Sequence, residues 1–280
     1  MHRILALALL IAAPAHRVEA AQGTHAVEIV GLDYAFQMPA RFPAGRTTIR
    51  FVNKGKFAHE LNIVLLKRGA TMQQFVAASN AGQPLAPLIE GTVGVLFAEP
   101  GALGAGRLVT DLLPDREYAL RCIFRDSASA PRHFMLGMYA SIHVDGASAR
   151  AASPVRADTI VGTDYGFRAP THLAPGRHRL AFVNAGAQRH EVSLALLAKG
   201  VSLQQVMRDV AAGRDSDDWF ESGLGVLHTL GGSAPLGLLE VDLLPGREYL
   251  IVCNFSDTPT SPHHVQLGMF GGITVGGMAR

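Results

Sequence analysis

Tyr118-Ala119-Leu120-Arg121-Cys122, followed after ten further residues by His133-Phe134-Met135-Leu136-Gly137-Met138, is written twice in this chain. The second version reads Tyr249-Leu250-Ile251-Val252-Cys253 and then, after the same interval, His264-Val265-Gln266-Leu267-Gly268-Met269. Upstream, Phe51-Val52-Asn53 through His59-Glu60 returns as Phe182-Val183-Asn184 through His190-Glu191. Further upstream, Ile29-Val30-Gly31-Leu32-Asp33-Tyr34 returns as Ile160-Val161-Gly162-Thr163-Asp164-Tyr165. The offset is 131 residues throughout, so the copies align without a gap, at roughly 40% identity. Each copy carries an early His, then a Cys, a second His and a Met. A thiolate, two imidazoles and a thioether form the donor set of a mononuclear copper electron-transfer site.

The chain has 280 residues, and a repeat of about 120 residues fits two domains of ordinary size. Its 48% hydrophobic content suffices for two buried cores. A formal charge of +2, with no Lys/Arg cluster interleaved with aromatics, excludes a nucleic-acid partner. Met1-His2-Arg3, the apolar run from Ile4 to Ala13 and Val18-Glu19-Ala20 read as an export signal with cleavage near Ala20. No other segment reaches transmembrane length. The expectation is therefore a periplasmic or secreted protein without stable membrane insertion. The expected layout is a signal over 1–20, a first domain over 21–144, a linker over 145–157 and a second domain over 158–280. Each copy has a single Cys at the same position, so a disulfide would have to join equivalent points of two separate cores.

Strands are expected near Val27–Val30, Thr47–Asn53, Leu61–Leu66, Arg107–Leu113, Tyr118–Phe124 and Met138–Val144, with the order repeated in the second copy. One helix interrupts each copy. Thr71 and Ser202 are its N-caps, Met72, Phe75 and Val76 or Leu203, Val206, Met207 and Val210 its apolar stripe, and Gly82 and Gly213 its exits. Many short strands around one helix imply a β-sandwich.

The spacing of His59, Cys122, His133 and Met138, and of His190, Cys253, His264 and Met269, resembles that of the cupredoxins, the blue copper family that includes plastocyanin and azurin. The H-x-x-x-G-M endings and the long Cys-to-His interval also resemble copper nitrite reductases and multicopper oxidases. The resemblance implies an all-β chain of two tandem Greek-key β-sandwiches of that family, each with one inserted helix. It further implies two type 1 coppers per chain, held by those eight residues, and partners that dock near an exposed ring of the late His. Phe134, Leu136, Val265 and Leu267 are candidates for that docking surface or for the core. His263 is set aside in favour of His264, because Arg132 occupies the matching position. Glu60 and Glu191 are either acceptors that orient the preceding His or charges at a strand edge. His25, His143, His172, His178 and His228 have no matched partner and are expected at the surface.

Enzymes of this family place a His beside the type 1 Cys to ligate a catalytic copper. Here the neighbours are Arg121 and Ile123 in one copy, Val252 and Asn254 in the other, and no His-x-His pair exists. No catalytic residue is therefore assigned. The expected function is single-electron transport between periplasmic redox proteins. A copper oxidoreductase related to nitrite reductase or two-domain laccase, and a copper-delivery protein, are the alternatives.

Overall fold

The computed structural model describes residues 25–146 and 154–277. The expected export signal over 1–20 and the middle of the expected linker lie outside the described residues. The first half contains β1 (His25–Leu32), β2 (Ala35–Gln37), β3 (Arg41–Phe42), β4 (Gly45–Asn53) and β5 (His59–Leu66), then helix α1 (Met72–Asn80). After it come β6 (Ile89–Ala98), β7 (Gly106–Leu112), β8 (Glu117–Arg121) and β9 (Tyr139–Val144). The second half repeats this as β10 (Asp158–Thr163), β11 (Gly166–Arg168), β12 (His172–Leu173), β13 (Gly176–Asn184), β14 (His190–Leu197) and α2 (Leu203–Ala211). It closes with β15 (Phe220–Thr229), β16 (Gly237–Leu243), β17 (Glu248–Val252) and β18 (Phe270–Val275). The chain is nearly all β, with one α-helix per half among the described residues.

The two halves are not separate bodies on a tether. One sheet of eight strands runs β11-β10-β13-β16-β7-β4-β1-β2, and one of ten runs β12-β18-β17-β14-β15-β6-β5-β8-β9-β3. Both cross from one half to the other, through the antiparallel pairs β16–β7 and β15–β6. At the crossing, Leu239 pairs with Leu108 and Val226 with Val95. Each of these is a residue facing its own counterpart, which is the signature of a two-fold relation. A single buried cluster accordingly includes Ile49, Phe51 and Leu108 from the first half and Phe182, Leu239 and Val241 from the second.

Glycines permit this close approach. Gly94 and Gly225 both sit at φ +150, a conformation side chains rarely adopt. A Cβ at Gly106 would strike the Leu224 carbonyl oxygen, and one at Gly237 the Val93 carbonyl oxygen, each in the opposite half. Arg107 on β7 also reaches Asp242 on β16 at 2.6 Å.

Each helix covers the outer face of the ten-stranded sheet. Phe75 of α1 packs on Val64, Leu66 and Ala119, while Val206 of α2 packs on Leu197, Trp219 and Leu250. Thr71 and Ser202 cap them by accepting the backbone N–H of Gln74 and Gln205. Gly82 and Gly213 follow with positive φ, as an exit requires. No helix among the described residues is long and apolar enough to cross a membrane.

Candidate metal centres

His59 opens β5, and the turn before it is held by Asn53, which is fully buried at the end of β4. The Asn53 side-chain amide donates to the carbonyls of Phe57 (2.7 Å) and Ala98 (3.0 Å), and its oxygen accepts the Gly55 N–H at 2.8 Å. Asn184 does the same before His190, donating to Gln188 O and accepting from Gly186 N–H. The repeated Asn-x-Gly thus clamps a loop so that each early His enters its strand at one fixed place.

Cys122 follows β8 and Cys253 follows β17; both are fully buried and unpaired by any disulfide. Their sulfurs accept the backbone N–H of Glu60 (3.3 Å) and Glu191 (3.4 Å). His133 and His264 begin short 3-10 turns, His133–Leu136 and His264–Leu267, closed by Gly137 and Gly268 at positive φ. The Met138 and Met269 side chains are fully buried. The Met138 carbonyl accepts the Cys122 N–H and its own N–H donates to His133 O, with the same pair of bonds around Met269.

These elements bring three donors of each copy together. In His59, Cys122 and His133, and again in His190, Cys253 and His264, one ligand atom from each residue lies within 4.8 Å of the others. In the second centre, Nδ1 of His190 stands 3.0 Å from Nδ1 of His264, and Cys253 Sγ lies 3.8 and 3.4 Å from them. In the first, the Nδ1 atoms are 2.9 Å apart and Cys122 Sγ lies 3.9 and 3.4 Å away.

Carboxylates fix the tautomers. His264 Nε2 meets Asp257 at 3.0 Å and His190 Nε2 meets Asp164 at 3.2 Å, so each Nε2 carries the hydrogen and each Nδ1 is left as a bare lone pair. Two lone pairs facing each other at 3.0 Å, beside a sulfur, repel unless a cation lies between them. The donor set therefore fits a metal ion, and a soft sulfur with two imidazoles suits copper. Asp126 does for His133 what Asp257 does for His264, at 2.8 Å. Tyr34 and Tyr165 donate their hydroxyls to Asp126 and Asp257, each at 2.6 Å. Both tyrosines hold positive φ, 62° and 65°, uncommon for a bulky residue and repeated at the same place in each half.

Burial sets the charges. It pushes the Cys122 thiol up to about 12 and Cys253 up to about 11, partly offset by the backbone N–H groups on each sulfur. Burial also lowers His59 to about 4, with His133 adding to the shift, and lowers His190 against the pull of Asp164. Hydrogen bonds from Tyr34 and His133 hold Asp126 below the usual carboxylate range. Without a cation each pocket favours a neutral thiol and a neutral early imidazole, His59 or His190.

Several expectations need correction. The late His is not exposed: His133 and His264 are 0% and 1% accessible, covered by Asp126 with Tyr34 and by Asp257 with Tyr165. Phe134 is buried and Val265 half-buried, leaving Leu136 and Leu267 exposed. Glu60 and Glu191 neither orient a His nor edge a strand. They are buried, and each accepts the N–H of the residue after the Cys, Ile123 or Asn254. Burial raises Glu60 to about 7. His228 is not a surface residue, since its Nε2 is buried between the halves with no hydrogen-bond partner. His263 hydrogen-bonds Asn254 O and Ser256, away from the donor group that His264 joins.

Asp126, Asp257 and the tyrosine partners escaped the sequence reading. Their signal was available, because Asp126 and Asp257, like Tyr34 and Tyr165, are spaced by the repeat offset of 131 residues.

No family model and no curated protein matches the sequence. Among solved structures, the chain is similar to the "blue" copper protein auracyanin A of Chloroflexus aurantiacus, at 19% identity over 44% of this chain and 100% of that one, with a TM-score of 0.30. It is similar to a copper nitrite reductase of Nitrosomonas europaea, at 13% identity over 91% of this chain and 94% of that one, TM-score 0.24. A multicopper oxidase gives 14% identity over 89% and 87% of the two chains, TM-score 0.24. The two matched His-Cys-His groups, each followed by a Met, repeat one donor set at the same place in each half.

Proposed function

We propose that the protein is an exported blue copper protein that carries single electrons through two mononuclear type 1 sites, one in each half. His59, Cys122, His133 and Met138 would hold one copper, and His190, Cys253, His264 and Met269 the other. The observation that carries this is the pair of bare Nδ1 atoms at 3.0 Å, aimed at a common point with the Cys253 sulfur. Copper bound there would supply a one-electron couple, for which His₂Cys with a distant thioether is the usual donor set.

The chain's own residues do the rest. Asp257 and Asp164 keep both Nδ1 atoms free of protons, and the Glu191 N–H stabilises charge on the Cys253 sulfur. Full burial of the donors excludes water, and strand ends hold them against movement, so little reorganisation opposes the electron. Each donor group is complete within its own half. The register also sets them apart: His59 and His190 are separated by three strand spacings of about 4.8 Å and by six residues of about 3.3 Å along the strands, roughly 25 Å between Cα atoms. The two sites thus lie toward opposite ends of the seam, each placed to serve its own redox partner in the same extracytoplasmic compartment.

Cys122→Ser and Cys253→Ser test this directly. Each variant should lose one of two intense visible sulfur-to-copper bands and about half the bound copper, consistent with one site per half. Loss of both bands in either variant, or of neither, contradicts the assignment.

A further inference from the structure

Two cavities flank the seam, related by the same two-fold as the halves, and only one of them gathers arginines without an ion-pair partner. The first, of about 490 Å³, lies between β5, α1 and the end of β8 in the first half and the end of β15 in the second. Its twin, of about 610 Å³, lies between the corresponding elements with the halves exchanged. The first is lined by Asn62, Arg121, Arg189 and His228. The repeat offset places Ser193, Val252, Ala58 and Phe97 at the matching positions. At these four positions the charge and hydrogen bonding lie in the first cavity, while at three others the twin has Arg214, Asp215 and Asp217 where the first has Gln83, Pro84 and Ala86. The twin's one arginine, Arg214, is paired with Asp209, and its two lining aspartates, Asp215 and Asp217, would repel an anion.

We propose that the first cavity binds a small organic anion with an apolar body, such as an aliphatic or aromatic carboxylate. Arg121 is held by the Ser79 hydroxyl at 3.3 Å and lies 5.5 and 5.6 Å from the Phe75 and Phe134 ring centres. Arg189 lies over the Phe255 ring at 3.9 Å. Among the described residues neither guanidinium has a carboxylate within ion-pair distance. The carboxylate on the cavity wall, Glu90, is engaged by Arg116. Arg189 is exposed, whereas Arg121 is half-buried with its Nε out of reach of water; a guanidinium so placed without an ion-pair partner is costly, and a bound anion removes that cost.

Three buried polar atoms have no partner here: Arg121 Nε, His228 Nε2 and Asn62 Oδ1, the last on a residue only 8% exposed. Arg121 Nε is a donor beside one rim, where a carboxylate would be received. Val64, Leu85 and Leu236 supply the apolar wall for the rest of the molecule. The volume falls within the usual range for small-molecule sites. Arg121 and Arg189 directly precede Cys122 and His190 in the chain, but their side chains line this cavity and belong to neither His-Cys-His group.

The test is calorimetric titration of the whole chain with octanoate and, separately, with octan-1-ol. Octanoate should bind once per chain, and octan-1-ol at least about tenfold more weakly, because it lacks the charge. Arg121→Val and Arg189→Ala, which install the residues of the twin cavity, should each weaken octanoate at least about tenfold and leave octan-1-ol unchanged. Arg121→Lys should restore most of the octanoate affinity, which separates loss of charge from loss of fold. The proposal is overturned by octanoate binding that is undetectable at millimolar concentration, that ignores both arginine variants, that is no stronger than octan-1-ol, or that occurs at two or more sites per chain.

Discussion

His190 in the second half and His59 in the first occupy equivalent places, yet their outer nitrogens are treated differently. His190 Nε2 is held by Asp164, while His59 Nε2 is buried without a partner. The aspartate matching Asp164 is Asp33, which accepts the Lys56 N–H at 2.6 Å as Asp164 accepts the Ala187 N–H at 2.9 Å, but no hydrogen bond joins it to His59. The second centre therefore has both tautomers fixed from outside, and the first has only that of His133. A repeated donor set does not guarantee two equal sites. The same lesson applies at the seam, where repeat-matched positions line one cavity with arginines and the other with small and apolar side chains.

The largest expected effect comes from breaking the seam that makes the halves comparable. Gly237→Ala puts a methyl group against the Val93 carbonyl, where neither backbone can retreat. A loss of about 2–4 kcal/mol is expected, read as a fall in the thermal midpoint or a split into two transitions. Gly106→Ala should behave alike, since its Cβ meets the Leu224 carbonyl. A wild-type midpoint and a single transition in both variants would show that the sheets do not join there.

The asymmetry of the two centres is sharpened by removing the paired aspartates. Asp164→Ala should lower copper affinity at the second site by about 10- to 100-fold, because it frees the His190 ring and its tautomer. Asp33→Ala should change the first site far less, since no hydrogen bond joins that carboxylate to His59. Competition against a chelator, read separately in the Cys122→Ser and Cys253→Ser backgrounds, resolves the two. Equal losses would mean that Asp33 also orients His59.

A smaller effect separates the cavities. Burial, with Arg189 and Arg121 adding to it, lowers His228 from 6.5 to about 4. Between those values the unfolded chain binds a proton that the folded chain refuses, so this residue costs stability as pH falls from about 6.5 to about 4. His228→Phe, which copies Phe97 of the other half, should remove on the order of 2 kcal/mol of that acid-side loss. Glu60, held up to about 7, acts in the opposite sense, with stability lost as pH rises through that range. It is present in both proteins and cancels in the difference. Denaturant midpoints at pH 4.5 and pH 7.5 give the comparison, and identical slopes would place the His228 ring in water.

The gapless repeat was the most legible feature of the sequence, because its offset tied together residues from five separate strands and loops. The strands flanked by polar turns and the two capped helices were legible for local reasons, since alternation and caps act within a few residues. β6 and β15 were missed because Gly91 and Gly94, or Gly223 and Gly225, interrupt them and read as breakers. In the folded chain those strands form the seam, and the glycines there are what let one half approach the other. The linker over 145–157 was read from composition, which says nothing about whether two sheet edges will pair. The coverage of His133 and His264 was hidden for a similar reason: Tyr34 lies 92 residues from Asp126, and nothing local connects them.

Whether two sites of one kind exist is tested most directly by titrating the metal-free, reduced chain with Cu(II) while following visible absorption, spin resonance and released protons. Both thiols are held up, to about 12 and about 11, so they enter the titration protonated at pH 7. An intense sulfur-to-copper band should grow linearly to two coppers per chain, with about one proton released at each. Saturation at one copper, or copper bound with neither the band nor the protons, would contradict two type 1 centres.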